Sequence, residues 1–115
     1  MEQVKKLLQE LAKTEGVREA LVVGRDGFVI DHVGDMDAEN VGAAVSTSIG
    51  TMEAMARKIG NAELFEVMAE YKDGTVVIAP IGRDAILGIS AREGANLGGI
   101  RFAVKKSIRE FEKVL

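Results

Sequence analysis

The sequence predicts a mixed α/β domain of the α+β type, built as a three-layer sandwich with helices on both faces of one antiparallel sheet. Helical and strand-like apolar patterns follow one another in the order α-β-β-α-β-β-β-α. The connections are short, so neighbouring strands form antiparallel hairpins and meanders. The runs that begin at Thr75 and Ala85 are apolar on both faces, which requires helices on both sides of the sheet. We expect the long middle helix on one face and the two terminal helices on the other.

The three helices are predicted from their apolar stripes and their end signals. The first stripe runs from Val4 to Ala12, and Gly16 follows it as glycine often follows a helix. Asp37 lies in an acidic stretch at the start of the middle helix, where the helix dipole favours negative charge. Asn96 is the predicted N-cap of the last helix.

The strands are predicted from β-rich runs separated by turn residues. Asp26 and Gly27 divide the first two runs, and this dipeptide between apolar runs is a strong hairpin signal. The run from Glu63 to Tyr71 alternates imperfectly and is the predicted third strand. Its pattern places Leu64 on one face with Glu66, Met68 and Glu70. Turns at Asp73-Gly74 and Gly82–Asp84 lead into the last two strands.

Composition excludes several classes of function. In 115 residues, 15 Lys and Arg against 18 Asp and Glu give a net charge of −3 without any Trp, so we expect no nucleic-acid partner. The absence of Cys and the single His32 exclude a disulfide, a thiol nucleophile and a His-based triad. No glycine-rich loop has the spacing of a nucleotide-binding motif. We therefore expect no catalytic residue, cofactor or metal ion, and a protein that is not an enzyme.

Membrane insertion is not expected either. The stretch Met1–Glu10 is charged and amphipathic, unlike a signal peptide. The longest charge-free run, from Val41 to Met52, is too short to span a bilayer. The expected location is the cytoplasm.

Two polar clusters have alternative interpretations. Asp31, His32, Asp35 and Asp37 have the chemistry of cation ligands, but a strand end that runs into a helix N-terminus explains them better. A carboxylate pair such as Glu66 and Glu70 suggests acid–base chemistry, but on an alternating strand it favours a solvated or edge face.

The long middle helix has a face of small residues, the small-residue arc, which consists of Gly42, Ala43, Ser46, Thr47, Gly50 and Ala54. Beside it lies an apolar arc, expected to pack on the sheet, of Val41, Ala44, Val45, Ser48, Ile49, Met52, Met55, Ala56 and Ile59. Packing of the small-residue arc on the protein's own sheet is one interpretation. Because the apolar arc already supplies that contact, we favour an intermolecular face that a helix of another chain occupies.

Two motifs resemble the Roadblock/dynein light chain domain family. The hairpin Ala20–Ile30 is similar to the opening of that domain, and Asn96–Arg101 is similar to its closing motif. The order of elements also matches, so the resemblance covers residues 1–115 as a single Roadblock-like domain. Within the family, the chain is most similar to short prokaryotic single-domain members of the MglB-like kind.

The resemblance implies a five-stranded sheet of order 2-1-5-4-3 and a homodimer or paralogue heterodimer joined through the third strands. The implied dimer interface consists of Leu64, Phe65, Glu66, Val67, Met68, Ala69 and Glu70. The long helices of the two subunits would then form a docking surface for a small Ras-like GTPase. The implied contact residues, transferred by helix position alone, are Ser46, Thr47, Gly50, Glu53, Ala54 and Arg57.

The function implied by the resemblance is a non-enzymatic dimer that binds a small Ras-like GTPase and modulates its hydrolysis of GTP or its localisation. MglB-like members work without a donated arginine finger, so Arg57 is the less favoured means of stimulation. The alternative is a dimeric scaffold that binds partners regardless of nucleotide. A small-ligand sensor or enzyme with a pocket between sheet and helix is a third hypothesis, which no convergent polar cluster supports.

Overall fold

The computed structural model describes residues 2–61 and 63–115, and Met1 and Ala62 lie outside them. The predicted order of elements is confirmed. Its members are α1 (Glu2–Ala12), β1 (Val17–Gly24), β2 (Val29–Val33), α2 (Ala38–Lys58), β3 (Val67–Tyr71), β4 (Gly74–Ile81), β5 (Ala85–Arg92) and α3 (Leu97–Val114).

The five strands form one sheet of order β2-β1-β5-β4-β3, in which all neighbours are antiparallel. This confirms the predicted order. The central strand β5 pairs with β1 on one side and β4 on the other, so β2 and β3 are the two edges.

Helices cover both faces of the sheet, as predicted. On one face α1 and α3 bury Val4, Leu8, Ile100, Val104 and Phe111 against the strands. On the other face Val45 and Ile49 of α2 pack against a second apolar cluster of strand residues, namely Leu21, Val23, Ile78 and Ile86. Burial on both sides explains why β4 and β5 are apolar at nearly every position.

The predicted helix starts are confirmed by their caps. The Asp37 side chain accepts from the Asn40 backbone N–H at 3.5 Å at the start of α2. The Asn96 side chain accepts from the Gly99 N–H at 3.1 Å at the start of α3. In the β1–β2 turn Gly27 has a φ of 91°, which explains the glycine after Asp26.

The predicted division of α2 into two arcs is wrong in part. Only Gly42, Val45 and Ile49 of this helix are buried. A Cβ at Gly42 would lie 3.0 Å from Val29 Cγ2 and 3.2 Å from Val23 Cγ2, so this member of the small-residue arc faces the protein's own sheet. The helix is therefore rotated from the predicted orientation. Much of the apolar arc is consequently exposed, namely Val41, Ala44, Ser48, Met55 and Ile59.

The predicted third strand is too long. β3 begins at Val67, and residues 63–66 precede it without strand pairing. Side-chain alternation applies only within the paired strand, so the predicted face of Leu64 is wrong. Leu64 packs with the cluster on the α2 side, whereas Met68 packs on the α1/α3 side.

Candidate functional site: the β3 edge and the outer surface of α2

The outer edge of β3 is open among the described residues, because β3 pairs with β4 alone. Val67, Met68 and Ala69 are half-buried there. Phe65 precedes the strand with 74% of its surface exposed, and Tyr71 ends it with 64% of its surface exposed. A strand whose outer edge is unpaired, with exposed aromatic residues at both ends, is a surface suited to pairing with another strand.

The outer edge of β2 differs from that of β3. Lys5 of α1 reaches across to this strand, where its Nζ donates to the His32 carbonyl at 2.6 Å and lies 2.8 Å from the Asp31 carboxylate. One main-chain acceptor and one side chain of β2 are therefore already engaged. A lysine at a strand edge is a typical obstacle to further pairing.

The outer surface of α2 has a face without charge. Its members lie three or four residues apart, so they share one side of the helix. Met55 and Ile59 expose 51% and 65% of their surface. We call this surface the charge-free face of α2, and it consists of Val41, Ala44, Ser48, Thr51, Met55 and Ile59.

The six residues implied in partner binding fall into two groups. Thr47, Gly50 and Arg57 are exposed, and a Cβ at Gly50 would meet nothing within 4 Å. Ala54 is half-buried beside them. The other two, Ser46 and Glu53, are half-buried and make contacts within the subunit.

Ser46 and Glu53 both hold Arg25 in the β1–β2 turn. The Ser46 hydroxyl donates to the Arg25 carbonyl at 2.8 Å. The Arg25 guanidinium forms a two-pronged ion pair with Glu53, in which Nη2 donates to Oε2 at 3.0 Å. Sequence reasoning missed this cluster, because Ser46 and Glu53 lie 21 and 28 residues from Arg25 along the chain.

The ion pair shifts the pKa of both partners. The hydrogen bond to Glu53 raises the pKa of Arg25 and outweighs the opposite effect of partial burial. The hydrogen bond from Arg25 lowers the pKa of Glu53, although partial burial raises it. Both groups are therefore charged at neutral pH, and the pair fixes the β1–β2 turn against α2.

The acidic residues around His32 serve the fold. Burial raises the pKa of Asp31, but hydrogen bonds from the Lys5 side chain and the His32 backbone N–H lower it further, so the pKa lies below its ordinary value. Asp37 caps α2. Residues 2–61 and 63–115 contain no group of three acidic or His side chains placed to hold a metal ion.

An open groove of about 570 Å³ lies between α3 and the segment that precedes β3. Leu64, Phe65, Pro80 and Ile108 are among its apolar lining residues. The Arg101 Nε donates to Glu66 Oε2 at 2.7 Å in the same region. The groove lies on the α3 side of the sheet and adjoins the open β3 edge.

None of the helices in the described part of the chain is long and apolar enough to cross a membrane.

Solved structures with the same fold include MglB of Myxococcus xanthus, with a TM-score of 0.92 and 19% identity over 97% of this chain and 94% of that one. The gliding protein MglB of Thermus thermophilus has a TM-score of 0.91 and 22% identity over 98% of this chain and 88% of that one. An MglB described as having a tetrameric arrangement has the same TM-score, identity and coverage.

The sequence comparisons agree with the structural ones. An uncharacterised protein of Methanocaldococcus jannaschii is 36% identical over 111 residues, which cover 95% of this chain and 96% of that protein. The sequence model of the Roadblock/LC7 domain matches residues 3–91. The chain therefore belongs to the Roadblock/LC7 domain family.

Proposed function

We propose that this protein is a non-enzymatic homodimer, with residues 1–115 acting as one domain, that binds a small Ras-like GTPase in the cytoplasm and modulates its hydrolysis of GTP or its localisation. Family membership and the fold shared with MglB support the proposal. The observation that carries it is the open β3 edge with exposed Phe65 and Tyr71, because pairing of two such edges would bring the two α2 helices together on one side.

The first step is pairing of two β3 edges. Antiparallel pairing about a two-fold axis would give one continuous sheet of ten strands, since each subunit contributes five. The implied interface residues from Leu64 to Glu70 include the central part of this edge and the segment before it. Pairing would remove Phe65 and Tyr71 from water in both subunits.

The second step is docking on the α2 side. A two-fold axis perpendicular to the sheet places both α2 helices on the same side of the dimer. Thr47, Gly50, Ala54 and Arg57 would then form the partner surface, while Ser46 and Glu53 would shape it through Arg25. A regulator of this kind needs only a higher affinity for one conformation of the GTPase, without a reacting group of its own.

A nucleotide-independent scaffold is the second candidate. The observation that favours it is the charge-free face of α2, because an apolar face binds protein partners without any group that senses a phosphate. In this alternative the dimer is unchanged, but the occupant of the α2 surface is bound equally in all nucleotide states.

The test is capture of partners on immobilised protein from a lysate of the source organism, in parallel with GDP and with a non-hydrolysable GTP analogue. Retained proteins are identified by mass spectrometry, purified and titrated against the protein with each nucleotide. A small GTPase that binds mainly with one nucleotide supports the regulator. Equal binding in both states, or partners that are not GTPases, contradicts it in favour of the scaffold.

Two variants at one position show whether α2 is the docking surface. Gly50→Leu places a bulky side chain in open space on the helix, so it should weaken binding of the GTPase by about tenfold or more. Gly50→Ala is the matched control, because it keeps the surface nearly flat and should retain binding. Equal affinity of both variants would show that the partner binds elsewhere.

A further inference from the structure

Charge is distributed unevenly over this molecule. The chain has a net charge of −3, yet the 18-residue helix α3 carries five basic and two acidic residues. The excess of acidic residues therefore lies in the other elements and their connections. Because salt screens charges over about 8 Å, the local charge of α3 decides which partner approaches this side.

The basic residues of α3 are concentrated on its outer side. Ile100, Val104 and Phe111 face the sheet and are buried. On the opposite side, exposed residues follow one another at intervals of three or four. We call this surface the basic face of α3, and it consists of Phe102, Lys106, Arg109 and Lys113, with Lys105 at its flank.

The charges of this face are largely uncompensated. Among the described residues, Lys105, Lys106 and Arg109 make no ion pair, and Lys113 lies 3.8 Å from a carboxylate oxygen of Glu110. Phe102, with 73% of its surface exposed, lies among them. Basic side chains attract anionic lipid headgroups, and an exposed aromatic ring among them adds apolar contact at the membrane interface.

The helix α1 extends the same side of the molecule. It packs beside α3 in the same layer and exposes Lys6 together with Glu2 and Glu10, so the positive charge of this side belongs to α3 alone. The basic face itself is a ridge along a helix of about 27 Å, at 1.5 Å per residue. Lys105 and Arg109 also line the open groove beside α3, whereas Phe102, Lys106 and Lys113 lie outside it. Most of the basic face is therefore an outward ridge, a shape that fits a broad, flat anion.

We propose that the basic face of α3 binds the anionic surface of a lipid membrane, with Phe102 at the level of the headgroups and no segment inserted across the bilayer. Each Lys or Arg near such a surface strengthens binding by roughly fivefold, so several acting together give reversible attachment. The inference adds a membrane to the proposed function. It rests on that function only for the placement of the membrane and the GTPase on opposite sides of the dimer. In a dimer joined through β3, both basic faces lie on the side opposite to both α2 helices, so the membrane and the GTPase would be bound at once.

The test is flotation of the purified protein with phosphatidylcholine vesicles that do or do not contain phosphatidylglycerol. Binding should require the anionic lipid and fall as salt is raised. The double variant Lys106→Glu/Arg109→Glu should lower the bound fraction by about tenfold or more. Lys106→Gln/Arg109→Gln keeps the experiment informative if charge reversal disturbs the helix, and circular dichroism monitors folding of both.

A matched control separates the face from the net charge. Arg57→Glu/Lys58→Glu makes the same change in charge on α2, at exposed positions on the other side of the sheet. It should leave vesicle binding within about twofold of the wild type. Equal losses in both double variants, or binding that does not depend on phosphatidylglycerol, would overturn the proposal.

Phe102→Ser tests the apolar part of the attachment. It removes the ring but no charge, so it should weaken vesicle binding and change its salt dependence little. Retention on a poly-glutamate resin without binding to anionic vesicles would replace the membrane by an acidic protein and overturn the proposal.

Light scattering on the same samples gives the oligomeric state. A monomer that still binds anionic vesicles would refute the proposed dimer but keep the lipid surface.

Discussion

Arg25 joins three parts of the fold that are far apart in the chain. Its backbone N–H donates to the Asp84 carbonyl in the β4–β5 turn at 3.0 Å, its carbonyl accepts from Ser46, and its guanidinium pairs with Glu53. Its Nε is buried without a hydrogen-bond partner, so the ion pair is the main compensation for burying this side chain. This arginine therefore positions both the turn and the middle of α2.

Glu53→Gln should lower the free energy of unfolding by about 1–2 kcal/mol at pH 7, because the buried part of the Arg25 side chain loses its counter-charge. The pKa of Glu53 is lowered in the folded state, so the stabilisation is complete above the unfolded-state pKa and is lost as the pH falls through the folded-state pKa. The difference between variant and wild type should accordingly shrink below about pH 4. Urea unfolding at a series of pH values measures it.

Asp31→Asn is the comparison for this prediction. Asp31 also has a lowered pKa, but its partner Lys5 has 40% of its side chain exposed. Its loss should cost less than the loss of Glu53 at pH 7. An equal or larger effect at Asp31 would show that the pair at α1, rather than the one at α2, dominates the acid sensitivity.

The helix α2 packs on the sheet along one side and is open to solvent on the other. Gly42, Val45 and Ile49 form a narrow buried stripe, and the rest of the helix is half-buried or exposed. The two glycines lie eight residues apart and have opposite surroundings. Gly42 is required for close approach to β1 and β2, whereas Gly50 leaves an open surface.

Substitutions at these two glycines should have opposite effects on stability. Gly50→Ala should raise the free energy of unfolding by up to about 1 kcal/mol, because alanine favours an exposed helix interior. Gly42→Leu should lower it by about 1–3 kcal/mol, because the side chain would overlap Val23 and Val29. Denaturant titration of both variants measures the pair, and a destabilised Gly50→Ala would show that Gly50 is buried in solution, for example between subunits.

The helices and strands themselves could be predicted from the sequence because their signals are local. Apolar spacing and the Asp26-Gly27 turn fix α1, β1, β2 and α3 within a few residues. The rotation of α2 could not be predicted, because Val45 and Ile49 are flanked by apolar and small residues on both sides. The Arg25–Glu53 pair and the late start of β3 depend on tertiary contacts that no local pattern contains.

At the scale of the whole molecule, each end of the sheet has an exposed phenylalanine beside it. Phe65 precedes β3, whereas Phe28, with 76% of its surface exposed, lies in the turn that leads into β2. The proposed dimer would bury Phe65 and leave Phe28 in solvent. These two residues therefore form a natural pair for testing it.

Phe65→Asp should convert the dimer into a monomer at micromolar concentration, because pairing would bury a carboxylate in each subunit. Phe28→Asp introduces the same side chain at a similarly exposed position and should leave the dimer intact. Light scattering after gel filtration measures both. The thermal midpoint should rise with protein concentration for the wild type and Phe28→Asp, but not for Phe65→Asp.

A sheet with one open and one obstructed edge limits its own growth. Once two β3 strands have paired, each end of the joined sheet is a β2 strand whose His32 carbonyl and Asp31 carboxylate are held by Lys5. In the proposed dimer, a third subunit would meet a β2 edge that Lys5 already engages in part. The contact from α1 would therefore oppose further strand addition and favour a discrete particle over a fibril.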